Sequence, residues 1–556
     1  MVYLIIGIIL IFAIVASLQN TFTAKKKVLL EKIREAWGKP KDEYFPLERI
    51  GRYASLDTPA ESYQLSKQTL YDIDFFGLFA FVDRTLSKPG QQILFKKLIH
   101  PLKMEENLAS QNEKVDLFTS DVSLRETVQQ ELRRLGSNDA YFITSLMQDK
   151  LLERPSWYKF LPTSMVAVVL LLLFATNFSV LLIFLIIPLT LNMFIHYWNK
   201  NNTFQFMRSF PQLSLLIEVS ANLQRVNIGI DNKGISEDIN QLKPFQWKMK
   251  LLGLVNEGGI KDDLNQMGSY LMELLKAFFL IEVFTLFHLT RELETKKDLI
   301  FNLFHFVGEL DVAISIASLR AGEAKTCRPE FVPSAKELHL KNVYHPLVKN
   351  CVKNDLSVNG KSMLITGSNM SGKSTFLRTI ILNSILAQTL DTCFADEFRT
   401  PKLRQFSSIL IDDNLFAGTS YYFEEVMVMG TLIKEVNSTD QNLFILDEVF
   451  KGTNTIERIA SAKAILSYLN RNNNIVIVST HDIELSAMLS QEFDLYHFTD
   501  SIENGKLHFD FKMKAGPLTT RNATKLLEIS DYPADIIDEA TRLSKSLTES
   551  TIAKKD

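Results

Sequence analysis

Leu364-Ile365-Thr366-Gly367-Ser368-Asn369-Met370-Ser371-Gly372-Lys373-Ser374-Thr375 is the stretch from which the rest of the chain is read. An apolar run ends in Gly-x-x-x-x-Gly-Lys-Ser, and a helix-like sequence from Phe376 to Leu390 follows, the strand–loop–helix context of a phosphate-binding loop. Gly367 and Gly372 let the backbone turn so that the N–H groups of the loop point inward at a phosphate. Lys373 reaches the β and γ phosphates, and the Ser374 hydroxyl completes a magnesium shell. Ser368, Asn369, Met370, Ser371 and Thr375 make up the remainder of the cradle. A mere Gly/Ser-rich turn with a surface lysine does not require this complete motif in this context. The stretch predicts a nucleotide site that takes ATP and Mg2+.

The chain has 556 residues, too many for one core, so two to four domains are expected. Charged residues at 22% and a net charge of −3 give no global basic field, so any nucleic-acid contact must come from a local patch. Cys327, Cys351 and Cys393 lie far apart with no Cys-x-x-Cys pair. Their spacing fits a reducing compartment and argues against a disulfide framework and a zinc site.

Mean hydropathy is +0.04, and two regions account for the excess. Val2 to Leu18 is an unbroken apolar run, just long enough to span about 30 Å of hydrocarbon. Lys25, Lys26, Lys27, Lys32 and Arg34 follow it, which by the positive-inside bias puts the N-terminus outside and the rest in the cytoplasm. Between Lys159 and Lys200 there is no Asp, Glu, Lys or Arg. Helix at 1.5 Å per residue makes this stretch roughly twice as long as the bilayer core is thick. Two spans are expected, Pro162 to Ala175 and Phe178 to Tyr197, turning at Thr176-Asn177 and anchored by Trp157, Tyr158, Tyr197 and Trp198. A hairpin returns the chain to its starting side, so an integral protein of the cytoplasmic membrane is expected, with the nucleotide site in the cytoplasm.

Residues 21–160 and 199–326 read as helical, on either side of the hairpin at 161–198. Leu78 to Leu102 reads as a helix, a Pro89-Gly90 turn and a second amphipathic helix. Asp83-Arg84 within it is a structural ion pair, a solvated face or a functional pair. Leu213, Leu216 and Ile217, and likewise Leu271, Leu274 and Leu275, fall at helical spacing and are expected in the core. The Pro-rich break at 327–333 marks a boundary. Beyond it, strand-like runs at Leu338–Val343, Ser362–Thr366, Ser408–Asp412, Asn442–Leu446 and Ile475–Ser479 alternate with helices, predicting an α/β domain with a mainly parallel sheet over 327–543. A polar tail, 544–556, closes the chain, as a transmembrane helix at 1–20 opens it.

Leu443 to Glu448 is an apolar strand ending in two carboxylates, where a doubly wound sheet places its ligands. Asp447 is expected in the magnesium shell, and Glu448 as the group that orients and deprotonates the attacking water. His481 ends a further apolar strand and is the candidate sensor of the γ phosphate.

These residues resemble the ATPase domain of the mismatch repair MutS family. Gly367 to Thr375 is similar to the family's Gly-Pro-Asn-Met-Gly-Gly-Lys-Ser-Thr, and Asp447 to Thr455 to its Asp-Glu with Gly-Arg-Gly-Thr-Ser-Thr. His345-Pro346-Leu347-Val348 resembles its upstream His-Pro-x-x, and Asp413 to Ser420 its signature segment. Leu78 to Leu102 and Leu310-Asp311-Val312 are similar to the family's core and lever segments. The resemblance implies an ABC-type P-loop ATPase domain behind an all-α lever, here interrupted by a membrane hairpin where the family has its DNA clamp. It also implies a homodimer in which Gly418 and Ser420 act on the nucleotide held by the partner.

The chain departs from the family in places. No mismatch-reading domain is expected before residue 70, and the Phe-x-Glu wedge is missing there. Cys351 stands where the family has an aromatic for adenine. Two functions remain open: a membrane-anchored ATPase that still engages DNA through backbone contacts, and one that couples dimer closure to membrane helices without DNA.

Overall fold

The computed structural model describes residues 23–24, 26–56, 63–101, 105–148, 155–175, 177–178, 180–202, 204–226, 228, 233–251, 274–323, 325–333, 336–368, 370–410, 421–503, 506–518, 527 and 532–552. The expected first span, 2–18, lies outside the described residues. The chain forms two compact units. One comprises Met1–Ala60, Val82–Lys97 and Ala109–Gly322; the other comprises Glu61–Phe81, Leu98–Leu108 and Glu323–Asp556.

Among its described residues the first unit is helical. Its central helix, Lys297–Gly322, is long and apolar enough to cross a membrane but is mostly buried, as a core helix is. Asp311, on this helix, is fully buried and accepts hydrogen bonds from Leu86 N (2.9 Å), Ser87 N (2.7 Å) and Ser87 Oγ (2.6 Å). Burial pushes its carboxyl up to about 6 against these bonds. A Cβ at Gly90 would meet Asp311 Oδ2 at 2.2 Å, so only glycine admits the carboxylate there. Pro89 and Gly90 do not form the expected turn. They lie in the first turn of helix Lys88–Ile99, where proline lacks nothing the helix needs and Ser87 Oγ accepts from Gly90 N at 3.0 Å. Asp83 is likewise buried, accepting from Lys41 Nζ (2.8 Å), Thr85 N (2.9 Å) and Gln91 Nε2 (2.6 Å). The Asp-Arg-Thr motif is therefore no solvated face: it is a buried polar network in which the charge of Asp83 is matched by Lys41.

Helices Leu161–Ala175 and Leu181–Asn202 pack on each other around the reversal near Asn177, where Phe178 N donates to Phe174 O at 3.0 Å. Asn192, fully buried, joins them to a third segment. Its Oδ1 accepts from Ser164 Oγ (2.6 Å) and its Nδ2 donates to Phe278 O (2.7 Å). That carbonyl precedes a helix break at Leu280 (φ +49°), after which helix Ile281–Glu294 begins. Trp157 and Tyr158 pack at the base of the pair against Phe284 and Phe287. The outer faces of the pair remain apolar and exposed, as at Leu173, Ile183, Ile187 and Phe194. Leu213, Leu216 and Ile217 are core, but Leu274 and Leu275 are exposed, on a turn that faces outward just before the break; Leu271 lies outside the described residues.

The second unit carries two sheets. Its strands are β1 (Glu330–Phe331), β2 (Glu337–Val343), β3 (Asn354–Asn359), β4 (Ser362–Gly367), β5 (Glu397–Thr400), β6 (Arg404–Ser408), β7 (Asn442–Asp447), β8 (Ile475–Thr480), β9 (Phe493–Glu503) and β10 (Lys506–Ala515). The larger sheet has the order β10-β9-β4-β8-β7-β6, parallel from β9 to β6 with β10 antiparallel at one edge. The smaller has the order β1-β5-β2-β3. Every residue of β4 and β8 is buried, which is why these strands read as continuous apolar runs instead of alternating ones. Helices α1 (Lys67–Asp72), α2 (Lys373–Leu390), α3 (Tyr421–Glu435) and α4 (Thr455–Leu469) belong to this unit.

The strand expected over 408–412 runs instead over Arg404–Ser408. Asp72 explains where it stops: its carboxylate accepts from Ser407 Oγ (2.6 Å), Ile409 N (3.0 Å) and Leu410 N (2.8 Å), withdrawing the last two donors from the ladder.

Candidate functional site

Three adjacent parallel strands, β4, β8 and β7, end side by side, with Thr366 in register with Thr480 and Asp447 with Ser479. Loops leaving the carboxyl ends of such strands are where an open α/β sheet holds its ligands. β4 runs into the glycine loop, and α2 starts immediately after Gly372, whose φ of +104° is a conformation that favours glycine. The N-terminus of α2 presents unpaired N–H groups and the positive end of its dipole, a ready site for an anion. Ser371 Oγ donates to Ser368 O (2.8 Å) and Ser368 Oγ to Asp500 Oδ1 (3.0 Å), bracing the loop. Lys373 is folded over the same loop, its Nζ donating to Gly367 O and Ser368 O at 2.8 Å each. Burial lowers its pKa, against the pull of Glu448 and Asp447. Met370 is exposed, and Thr375 lines the cavity described below. Asn369 lies outside the described residues, as do Gly418 and Ser420.

Ser374 and Asp447 meet: Ser374 Oγ donates to Asp447 Oδ2 at 2.5 Å, while Ser479 Oγ hydrogen-bonds Asp447 Oδ1. One hydroxyl and one carboxylate are hard oxygen donors. They would suit a magnesium ion. Among the described residues no cluster of three or more His, Cys, Asp or Glu could hold a metal by itself. Glu448, next along, has φ +51° and is pinned through its N–H to Ser479 O (2.9 Å). His481 Nε2 lies 2.5 Å from its Oε1 and Lys451 Nζ 2.7 Å from its Oε2. Burial pushes the Glu448 carboxyl up, but the bonds and charges of His481 and Lys451 outweigh it and hold the group at about 2. Asp482, beside His481, is fixed by Arg458 through two bonds of 2.9 and 2.7 Å.

Two features of the site were not read from the sequence. Glu425, on α3 and buried, accepts from Lys451 N (3.0 Å) and Gly452 N (3.2 Å), so it holds the loop that follows Glu448. Phe511 lines a cavity of about 340 Å³ together with Lys373, Ser374, Glu448, Cys351 and Val352. It sits in the irregular stretch of β10 between Phe509 and Met513 at φ +53°, held by Asn354, which donates to Phe511 O (3.0 Å) and accepts from Met513 N (2.9 Å). The Phe509-Asp510-Phe511 alternation was the available signal, and it points to a strand. His345 is a buried neighbour of the cavity wall, pushed down to about 4 by burial and by Arg378; its N–H donates to Cys351 Sγ at 3.4 Å.

A mixed sheet with a glycine loop at the end of one central strand and carboxylates at the end of another defines an ABC-like α/β domain behind a helical region. Residues 363–548 match the family model of MutS domain V. The relatives include a DNA mismatch repair protein MutS of Listeria monocytogenes, 34% identical over 255 residues, and one of Thermus thermophilus, 29% identical over 245. Each match covers 43% of this chain, and 29% and 30% of the respective relative. Through this domain the chain is similar to the MutS family. It matches less than a third of the length of these relatives.

Proposed function

We propose that this protein is a membrane-anchored MutS-type ATPase that binds and hydrolyses ATP as a homodimer. The observation that carries the reading is the gathering of Lys373, the Ser374–Asp447 pair and the Glu448–His481 pair at the ends of three neighbouring strands. The triphosphate lies along the glycine loop and the α2 N-terminus, and Lys373 exchanges its two carbonyl partners for phosphate oxygens. Phe511 offers its ring to the base, the role left open at Cys351. Ser374 and Asp447 would hold a magnesium ion, whose positive charge would act against the phosphate oxygens. Glu448 orients a water for attack on the γ phosphorus; the P–O bond to the β-phosphate breaks, ADP leaves, and the water's proton passes to Glu448. Each Glu448 oxygen has one partner, which leaves a lone pair on each for the water. Gly418 and Ser420 serve the partner's nucleotide on the same reading.

Glu448→Gln should bind ATP yet turn over slower by a factor on the order of 10²–10⁴. Lys373→Ala should lose nucleotide binding instead. Unchanged hydrolysis in both variants removes the assignment.

The exposed apolar flanks of helices Leu161–Ala175 and Leu181–Asn202 support a bilayer as their surroundings. On this reading the nucleotide site is cytoplasmic. The attachment of Asn192 to Phe278 favours a second reading, in which nucleotide-driven dimer closure acts on membrane helices or a membrane partner and no DNA is bound. Salt-dependent DNA binding by the detergent-solubilised protein separates the two, because phosphate contacts give a steep salt slope.

A further inference from the structure

We propose that Cys327 and Cys393 are a redox-active pair, in which a hydroperoxide oxidises Cys327 and Cys393 resolves it to an intramolecular disulfide. Far apart in sequence, the two face each other as an isolated antiparallel bridge. Cys327 N donates to Cys393 O, and Cys393 N to Cys327 O, both at 2.9 Å. Residues that exchange both bonds in this way have Cα atoms about 5.5 Å apart. That lies within the roughly 4.4–6.8 Å that a disulfide spans. The thiols also meet: a hydrogen bond with Cys393 holds the Cys327 thiol below its usual range in spite of burial.

The pair is asymmetric in the way a two-cysteine reaction needs. Cys393 is fully buried and donates to Asn383 O at 3.8 Å, whereas Cys327 is half-buried and open to a small oxidant. The Cys327 thiolate attacks the O–O bond. An S–O bond forms, the O–O bond breaks, and the departing oxygen takes a proton to leave as water or an alcohol. Cys393 then attacks the sulfenic sulfur. The S–S bond forms, the S–O bond breaks, and the hydroxyl leaves as water with the Cys393 proton. Two electrons from the two thiols reduce one peroxide. The crosslink ties the chain just ahead of β1 to the segment after α2, where Asn383 Oδ1 also accepts from Phe394 N at 2.6 Å.

The test is a stepwise hydrogen peroxide titration of the reduced, detergent-solubilised full chain, followed by alkylation and peptide mass spectrometry. The expected result is a Cys327–Cys393 linked peptide that a dithiol reverses, with Cys351 still alkylated as the internal control. Cys393→Ala should instead leave a sulfenic acid at Cys327 that dimedone traps. Progression of Cys327 to sulfinic acid without a linked peptide, or reaction of Cys351 first, overturns the proposal. If Cys393→Ala does not fold, the wild-type linkage map decides alone.

Discussion

Glu448 is held as a carboxylate by two neighbours of different kinds, an imidazole and an ammonium. The depressed pKa of about 2 means that acid does not neutralise this group until far below physiological pH. Removing a cation raises a carboxyl pKa, so Lys451→Met should move the acid limb of the hydrolysis rate to higher pH. Wild type should show no limb from Glu448 above about pH 4. Rate–pH profiles of the two proteins check this; coincident acid limbs would mean that Lys451 does not set the proton affinity of the base.

At the level of elements, α3 and the loop after β7 are locked together. Glu425 accepts from two backbone N–H groups of that loop, and Tyr422 meets the Phe450 ring at 5.9 Å. A Cβ on Gly452 would come within 2.8 Å of Tyr422 Cβ, so the loop lies directly against the start of α3. Phe450 adopts φ +64°, a conformation the surrounding contacts must enforce. Glu425→Ala removes the acceptor that Lys451 N and Gly452 N share and frees the loop from α3. It should lower kcat more than nucleotide affinity, because the misplaced group is the base and not the phosphate loop. Glu425→Gln, which keeps one acceptor, should restore part of the rate. Equal losses in kcat and affinity would make Glu425 a stability residue only. The sequence disclosed β4, β7 and β8 because buried parallel strands are continuous apolar runs punctuated by Gly-Lys-Ser, Asp-Glu and His. It did not disclose β9 and β10, whose alternating Leu507-His508-Phe509-Asp510-Phe511 is half polar, nor the end of β6, which depends on the distant Asp72. Asp83 and Asp311 were visible as motif letters, but their burial and partners are tertiary facts.

For the whole molecule, two properties are open to measurement. The proposed anchoring requires the protein to stay with membranes through high salt and carbonate and to leave them with detergent; a wholly soluble product would defeat it. Mismatch reading needs an apolar wedge in the base stack, and residues before 70 provide no Phe-x-Glu for one. Any DNA binding that rests on backbone contacts should favour a single-mismatch duplex over a matched one of equal length by less than about tenfold, or roughly 1.4 kcal/mol. Competition between the two duplexes, with and without ATP, gives the ratio directly.

Asn192 is a polar side chain buried within an apolar pair of helices, and a bilayer would fix it there. With the outer faces of helices Leu161–Ala175 and Leu181–Asn202 apolar, no water stands ready to replace its bonds to Ser164 and Phe278. A hydrogen bond with no aqueous substitute is costly to break, so the three segments it joins are clasped at one point. The segment ahead of the break at Leu280 then shifts together with the hairpin, and a single amide becomes the place where motion enters or leaves the lipid.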